Sequence, residues 1–343
     1  MRIDLAAPPR PATAPGLARE AEERGADRFV LAETSHNPFL QLARAADRTT
    51  RIGLGTGVAV ALARTPMTLA YEAWGLHESS DGRAAIGLGT QIEPHVVRRY
   101  GMPWDRPAAR MRDYVAAVRA IWHSWQSGER LAHRGEFYRH TLMTPVFAPD
   151  PLPYGPPPIL LAGVGPLMTA TAGAVADGFL AHPFGSPRHL AAHVLPAVRA
   201  ARATAEAEQA PWTARPFEVV ANVLVATGRD EREYAANLRA VRERLAFYAS
   251  TPAYRPVLET HGWAALQDEL HPLSLRGRWA EMGALIDDTV LHTFAVAGEP
   301  AEAARELRAR YGASADRLCV SGPDDTDPAP LLDVVSALTP SDR

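Results

Sequence analysis

The sequence predicts a (β/α)8 barrel, a closed parallel sheet in which each strand is followed by helical structure. Short runs rich in Val, Leu, Ala and Gly, typical of buried parallel strands, alternate with helical patterns along the chain. Eight such runs are present, which is the strand number of this barrel. With 343 residues and 47% hydrophobic content, the chain is also long enough to bury one large core.

The clearest unit of this alternation lies between Arg51 and Gln91. RIGLGTGVAVA predicts a strand that ends in a glycine-rich loop, Pro66 opens a helix, Asp81-Gly82 ends it, and AAIGLG is the next strand. Both strands finish in glycine-rich segments at the same end. Parallel α/β folds bind their ligands at that end of the sheet.

The other elements follow in order along the chain. Strands are predicted at residues 2–5, 27–32, 84–88, 157–163, 178–181, 218–226 and 317–320, and the main helices at 17–24, 38–46, 110–125, 190–208 and 331–338, with a further helix ending near 176. Two segments interrupt the pattern, at about 128–157, a candidate for a hairpin, and about 247–288. No linker divides the chain, so one barrel domain with two insertions is predicted over residues 1–343.

Composition excludes several classes of function. The net charge of −3 and pI near 6.5 give no reason to expect nucleic acid or an anionic membrane as a partner. All 36 basic residues are arginine, so Schiff-base chemistry on lysine and a P-loop are impossible. Cys319 is the only cysteine, which excludes an intramolecular disulfide and a cysteine-based metal site. With no signal peptide or membrane-spanning run in the sequence, a cytoplasmic protein is expected.

Several common site types do not fit the sequence. A dinucleotide fingerprint needs a third glycine, but Val58, Ile92 and Met168 occupy those places. His189 and His193 are four residues apart, but leucine stands where an HExxH motif has its glutamate, so no metal site is predicted. The chain has no G-x-S-x-G nucleophile elbow.

Candidate site residues directly follow the predicted strands. His36 comes one turn after the second strand and is a candidate acid or base, because imidazole titrates near neutrality; alternatively it caps the next helix or fills a polar rim. Glu33, at the end of the same strand, is a second titrating group or a structural hydrogen-bond acceptor. Gly163-Val164-Gly165 after the fifth strand predicts either an anion-binding turn, usually for phosphate, or a plain turn into a helix.

These segments resemble the motifs of a known family. ETSHNPF, RIGLGTGVAVALARTP, ESSDGRAAIGLGTQ, ARMRDYVAAVRAIW, GEFY, PPILLAGVGP and AVADGF occur in the order found in bacterial-luciferase-like flavin and deazaflavin oxidoreductases, over roughly residues 1–185. The weaker TFAVAGEPAEAARELRARYG extends the resemblance toward the C-terminus. The chain is most similar to the branch dependent on coenzyme F420. This resemblance implies a (β/α)8 barrel with the cofactor ring at its C-terminal mouth.

The resemblance also implies roles for individual residues. His36 matches the family's active-site histidine. Gly57-Val58 match a bulge in strand three that carries a non-prolyl cis peptide behind the deazaflavin ring. Thr56 and Gln91 stand in the matching loops after strands three and four and are expected to bind the cofactor too.

Two further matches concern the phosphate end of the cofactor and a catalytic acid. Gly163, Val164 and Gly165 match the loop that holds the phosphate end of the cofactor. Glu93 lies one residue from the place where a related sugar-phosphate dehydrogenase has a catalytic acid, and is a candidate for that acid. The same dehydrogenase binds substrate phosphate through lysines, which this chain lacks, so a sugar phosphate is not the expected substrate, although arginine could substitute for lysine.

The function implied by the resemblance is hydride transfer between C5 of F420 and a small organic substrate. The substrate would be a carbonyl or alcohol, an imine or an activated alkene, and His36 would exchange the proton. Three different functions stay open beside it: a monooxygenase that uses reduced FMN and O2, a non-catalytic flavin-binding barrel, and a metal-dependent barrel hydrolase. The family often forms dimers, so a homodimer is expected.

Overall fold

A computed structural model describes residues 1–323 and 325–339, and eight parallel strands close into a barrel. The strand β1 pairs with β2 and β8, and β7 pairs with β6 and β8, which completes the ring. The predicted (β/α)8 barrel is confirmed. The eight strands are β1 Arg2–Ala7, β2 Arg28–Leu31, β3 Gly53–Val60, β4 Ala84–Gly89, β5 Ile159–Gly163, β6 Gly178–Ala181, β7 Glu218–Ala226 and β8 Arg317–Ser321.

Helices surround the barrel, and several begin at a proline whose missing N–H costs nothing in the first turn. Side chains cap others: Asn37 accepts a hydrogen bond from the N–H of Phe39, and Asp230 accepts one from the N–H of Glu233. The α-helices of five or more residues are α1 Ala14–Glu23, α2 Pro38–Ala46, α3 Pro66–Ser79, α4 Pro107–Ser127, α5 Pro166–Val175, α6 Leu195–Ala207, α7 Glu231–Ala249, α8 Arg255–Glu259, α9 Ala264–Leu275, α10 Trp279–Ala284, α11 Asp288–Phe294, α12 Pro300–Tyr311 and α13 Ala329–Leu338.

Two details differ from the sequence prediction. The helix predicted over 190–208 has its regular part only from Leu195, after a short turn at Pro187–His189 and a π-helical turn at Leu190–Val194. Pro196 explains this difference, because proline has no N–H to continue the α-helical hydrogen bonds of the preceding turn. A short strand at Ala295–Ala297, which pairs with the end of β7, was not predicted, since three residues are too few for a period to show.

Three groups of buried side chains define the interior. The largest lies between the barrel and its outer helices. A second group, formed mainly by α7 to α11, covers Phe184, Leu224 and Ala226 at the carboxyl ends of β6 and β7. The third, inside the barrel, consists of five buried residues of small or medium size, Val30, Ala85, Leu160, Val220 and Cys319, with Ala6 and Leu180 packed against them. Because this inner layer is thin, space stays open above it.

The first insertion contains a two-stranded hairpin, His133–Arg134 paired with Arg139–His140. Asp113 of α4 holds it by accepting hydrogen bonds from the N–H groups of Phe137 and Tyr138. In the part of the chain that the structure describes, no helix combines the length and the apolar character that crossing a bilayer requires.

Candidate active site

The carboxyl ends of the barrel strands surround an open cavity. The space within its walls that water-sized molecules can occupy is about 250 Å3. The walls consist largely of small and apolar side chains, among them Ala6, Val30, Val58, Val60, Leu160, Ala162, Leu180 and Leu224.

One wall of the cavity is a bulge in β3. Gly57 and Val58 together oppose the single residue Gly87 of β4. The peptide bond between Gly57 and Val58 is cis, as the resemblance implied. A Cβ atom at position 57 would lie 2.4 Å from Cγ1 of Val30, so only glycine fits there. Thr56 joins the two strands, because its hydroxyl donates to the carbonyl of Gly87 at 2.7 Å.

Glu33 holds this bulge in place. Its N–H donates to the carbonyl of Val58 at 2.9 Å, and its Oε2 accepts from the N–H of Val60 at 2.7 Å. Its Oε1 accepts from the guanidinium of Arg64 at 2.7 Å, and the two side chains are only 9% and 10% exposed. Arg64 in turn lies 3.3 Å from Glu72. Of the two interpretations of Glu33, these contacts favour the structural acceptor.

His36 lies in the loop after β2, two residues beyond Thr34, which lines the cavity. The side chain of His36 is exposed, is not part of the cavity lining, and has its Nδ1 2.9 Å from the hydroxyl of Ser35. It does not cap α2, because Asn37 performs that role toward Phe39. The use of His36 as an acid or base therefore stays a prediction.

The loop after β4 contains one residue in the cavity wall and one on the surface. Gln91 lines the cavity, and its side-chain oxygen accepts from the N–H of Ile92 at 3.1 Å. Glu93 is exposed and lies outside the cavity lining. The structure thus brings Gln91, but not Glu93, to the cavity.

The glycine-rich turn after β5 lies beside the cavity. Gly163 and Val164 line a narrow, mostly apolar crevice that adjoins the cavity at Ala181 and His182. Gly165 immediately precedes α5, whose first turn contains no acidic residue. Backbone N–H groups at a helix N-terminus favour an anion, so the turn is compatible with the predicted phosphate.

Sequence reasoning missed several polar residues of the cavity wall. His182 follows β6; Phe184 N–H donates to its Nδ1 at 3.1 Å, and its Nε2 lies 3.1 Å from the hydroxyl of Tyr254. Burial lowers the pKa of His182 to about 4, so its ring is neutral at pH 7. The remaining missed polar residues of the wall are Asp4, Arg28, Asn222, Arg244, Tyr248 and Ser321.

Ion pairs lie at the floor of the cavity, since Asp4 and Arg28 both belong to its lining. Nε of Arg317 donates to both carboxylate oxygens of Asp4 at 3.0 Å, and their side chains are 3% and 1% exposed. Arg28 lies 3.7 Å from Asp4 and 3.5 Å from Glu218. Cys319 lies beside Asp4 in the sheet, and burial raises the pKa of its thiol, so it stays protonated. The charges beneath the cavity therefore compensate one another.

A comparison with protein-family models adds to this geometry, since the model described as luciferase-like monooxygenase matches residues 2–317. The chain belongs to this family. Among relatives of this luciferase-like protein, an uncharacterized protein of Mycobacterium tuberculosis is 48% identical over 93% of this chain and 92% of the relative. The F420-dependent glucose-6-phosphate dehydrogenase of Intrasporangium calvum is 28% identical over 92% of this chain and 90% of the relative.

Solved structures show the same luciferase-like fold. The coenzyme F420-dependent tetrahydromethanopterin reductase of Methanopyrus kandleri superposes with a TM-score of 0.77, 20% identity, and coverage of 98% of this chain and 97% of that one. The FMN complex of a type II Baeyer–Villiger monooxygenase component from Pseudomonas putida gives 0.65 and 17% identity, with coverage of 98% and 96%. At these identities, the likeness concerns the fold.

Histidines outside the luciferase-like cavity bond to neighbouring side chains. The rings of His189 and His193 lie 5.1 Å apart, and Nδ1 of His189 is 2.8 Å from the hydroxyl of Thr260. Over residues 1–323 and 325–339, no three His, Cys, Asp or Glu side chains are grouped so that they could hold a metal ion.

Proposed function

We propose that this protein is an F420-dependent oxidoreductase that transfers a hydride between the deazaflavin C5 and a small organic substrate. The observation that carries the proposal is the cavity at the barrel mouth, which no side chain of residues 1–323 or 325–339 fills. The 28% identical relative, whose name states dependence on F420, supports this choice of cofactor. The substrate would be a carbonyl or alcohol, an imine or an activated alkene.

The residues present fit a flat tricyclic ring with a phosphate-bearing tail. In β3, Gly55 and Gly57 line the cavity with backbone in place of side chains, and a Cβ at either would meet a neighbour within 2.9 Å. Thr56, Val58 and Gln91 complete this side of the site. The turn from Gly163 to Gly165 would hold the phosphate end through its backbone N–H groups.

The protein's own groups would orient the reactants and move a proton. Bound F420 supplies a two-electron hydride carrier that reacts poorly with oxygen. Glu33 and Arg64 hold the β3 wall, and the apolar side chains around it exclude water from the reacting atoms. His36, in the loop after β2, would exchange a proton between the substrate oxygen or nitrogen and solvent.

Titration of the purified protein with F420 and with FMN, followed by fluorescence, tests this proposal. Tighter binding of F420, together with turnover that continues without oxygen, would support F420-dependent hydride transfer. Tighter binding of FMN, with turnover that requires O2, would instead support an FMN-dependent monooxygenase, which the fold shared with the FMN-bound monooxygenase makes the second candidate.

A non-catalytic flavin-binding barrel and a metal-dependent hydrolase would each give a distinct outcome. Cofactor binding without turnover of any substrate would favour the non-catalytic barrel. Turnover that a chelator abolishes would favour the hydrolase. The homodimer also stays a prediction, and size-exclusion chromatography with light scattering measures it.

A further inference from the structure

Asn222 is a polar residue in an otherwise apolar stretch of β7. The strand reads EVVANVLVA, and its alternate residues Val220, Asn222 and Leu224 face the cavity. A carboxamide at the centre of a barrel strand has to be hydrogen-bonded, or has to face a polar partner. What Asn222 bonds to therefore indicates what the cavity binds.

Ser321 of β8 sets the orientation of this amide. Its hydroxyl donates to Oδ1 of Asn222 at 2.7 Å and lies 3.0 Å from the carbonyl of Val223. With Oδ1 facing Ser321, the Nδ2 group faces the cavity. Nδ2 makes no hydrogen bond to any residue from 1–323 or 325–339. Two amide donors are thus directed at the ligand space in a fixed orientation.

Asn222 lies deep in the cavity, next to the inner apolar layer. It is in register with Cys319, a member of that layer, and Cys319 is also in register with Asp4, which lines the same cavity and is paired with Arg317 and Arg28. Neighbouring polar groups are already used: the hydroxyl of Thr56 bonds to a backbone carbonyl, and both ring nitrogens of His182 have protein partners. A ligand that reaches this depth meets the amide of Asn222 as an uncharged donor.

We propose that Asn222 binds the imide edge (–CO–NH–CO–) of a planar heterocycle that enters the barrel edge-first. Nδ2–H would donate to an imide carbonyl, and the second lone pair of Oδ1 would accept from the imide N–H. The match is specific because both groups are planar and uncharged, and the two bonds form side by side. The inference rests on the proposed function, since the rings of F420 and FMN both carry this edge.

Lumiflavin, which has the imide edge but neither a phosphate nor a sugar tail, is the probe for this site. Its dissociation constant is measured by fluorescence for the wild type, Asn222→Leu, Asn222→Ser and Ser321→Ala. Each Asn222 variant removes the amide and should weaken binding about tenfold, whereas Ser321→Ala removes only the orienting bond and should weaken it about threefold. The absorption shift of bound lumiflavin should diminish in the Asn222 variants, because it reports hydrogen bonds to the ring.

Asn237→Leu is the matched control. Its amide donates to the carbonyl of Thr227 at 2.7 Å, away from the cavity lining, so lumiflavin affinity should equal that of the wild type. Circular dichroism and thermal unfolding verify that each variant is folded.

The outcomes separate this proposal from the proposed function. Affinity unchanged in Asn222→Ser overturns the role of the amide, even if the bulkier Asn222→Leu binds weakly. A wild-type protein that binds none of lumiflavin, FMN and F420 overturns both proposals. Weaker lumiflavin binding in the Asn222 variants, combined with no redox turnover of any substrate by the wild type, supports the imide site and overturns the proposed function alone.

Discussion

At the amino ends of the strands, polar side chains bond to one another, whereas at the carboxyl ends several face an open cavity. Asp4 and Arg317 exemplify the first arrangement, since their charges meet inside the barrel with almost no exposure, although Asp4 also lines the floor of the cavity. Asn222 exemplifies the second, since half of its amide is bonded to Ser321 and the other half faces ligand space. Both ends belong to the same eight strands, so the difference comes from which residues stand at each end.

The closed end contains a hydrogen-bonding motif that recurs three times. An Ala-Asp dipeptide precedes β2, β6 and β8, and each aspartate lies beside the start of the strand before it in the chain. The carboxylates of Asp27, Asp177 and Asp316 accept the N–H groups of Ile3, Ile159 and Val219 at 2.7–2.8 Å. The N–H of each aspartate donates back to the carbonyl of the same partner. These pairs satisfy backbone groups where strands begin, and so stabilise the closed end.

The comparison indicates that stability and ligand binding are separated along the barrel axis. Polar groups at the closed end have protein partners, so substitutions there should lower the free energy of unfolding more than they change binding, even though Asp4 and Arg28 also line the cavity. Polar groups at the mouth are available to a ligand, so substitutions there should change affinity or turnover more than stability.

The largest expected effect is at the closed end, in Arg317→Met. This change leaves Asp4 buried with Arg28, 3.7 Å away, as its nearest cation. Removing one partner of a buried ion pair costs about 3–5 kcal/mol. Urea unfolding should show this loss in the free energy of unfolding, while the affinity for F420 or FMN stays close to that of the wild type.

Arg305→Met is the matched control, since the Arg305 side chain is 74% exposed and lies 3.7 Å from Glu302. An exposed pair of this kind contributes at most about 1 kcal/mol. Equal losses of unfolding free energy in the two variants would contradict a special role for the closed end. So would an Arg317→Met variant that is as stable as the wild type but binds F420 more weakly.

A pH titration tests the closed end in a second way, through His77. This side chain lies near the end of α3, and burial, with a smaller contribution from the charge of Arg215, lowers its pKa to about 4. Below pH 6.5 the unfolded chain binds a proton that the folded chain does not bind until about pH 4, so stability falls as the pH drops through this window. The loss should reach about 3 kcal/mol.

Urea unfolding at several pH values measures this loss. The His77→Phe variant should show a weaker dependence of the free energy of unfolding on pH, because the contribution of His77 is removed. A variant with the wild-type slope would show that other groups carry the acid sensitivity. His182, with a pKa also lowered to about 4, belongs to the mouth and contributes in the same direction, so the His77 variant should retain part of the slope.

The barrel was predictable from sequence because its signal is local. Each strand is a short apolar run, and each helix has a proline, a cap or an apolar period that can be recognised without knowing its neighbours. The predicted start of α6 was wrong because the apolar pattern runs on through Pro196, whereas the α-helical hydrogen bonds are interrupted there. The Ala-Asp dipeptides were visible, but their meaning depends on a strand about 20 to 100 residues away.

The candidate site was predictable only in part, for the same reason. Thr56, Gly57 and Val58 of β3 and Gln91 after β4 line the cavity, and the strand pattern and the family motifs pointed to these positions. Asn222 shows no such motif, and its partner Ser321 is 99 residues further along the chain. A single polar residue in an apolar strand was the available signal.

Glu33 tests whether stability and ligand binding are separate, because it lies at the mouth of the barrel but has protein partners, like the residues of the closed end. Glu33→Ala removes the acceptor of the Val60 N–H and the partner of Arg64. Losing both should lower the free energy of unfolding by about 2 kcal/mol. It should also weaken F420 binding about tenfold, since the cavity wall loses its support.

Glu33→Gln is the informative partner variant, because its amide oxygen can still accept from the Val60 N–H. It should keep most of the F420 affinity and lose part of the stability. If Glu33→Ala is destabilised but binds F420 as the wild type does, the bulge does not need this support, and Glu33 belongs functionally with the closed end.

His36→Ala should have the smallest energetic effect and the most selective one. The side chain is exposed, so the free energy of unfolding should change by less than about 0.5 kcal/mol. Turnover should fall at least about tenfold, which corresponds to about 1.4 kcal/mol in the activation barrier, with F420 affinity nearly unchanged. Ser35→Ala, which removes only the contact to Nδ1, should have a weaker effect in the same direction. Wild-type turnover in His36→Ala would remove this residue from the reaction and leave the proton to another group at the mouth.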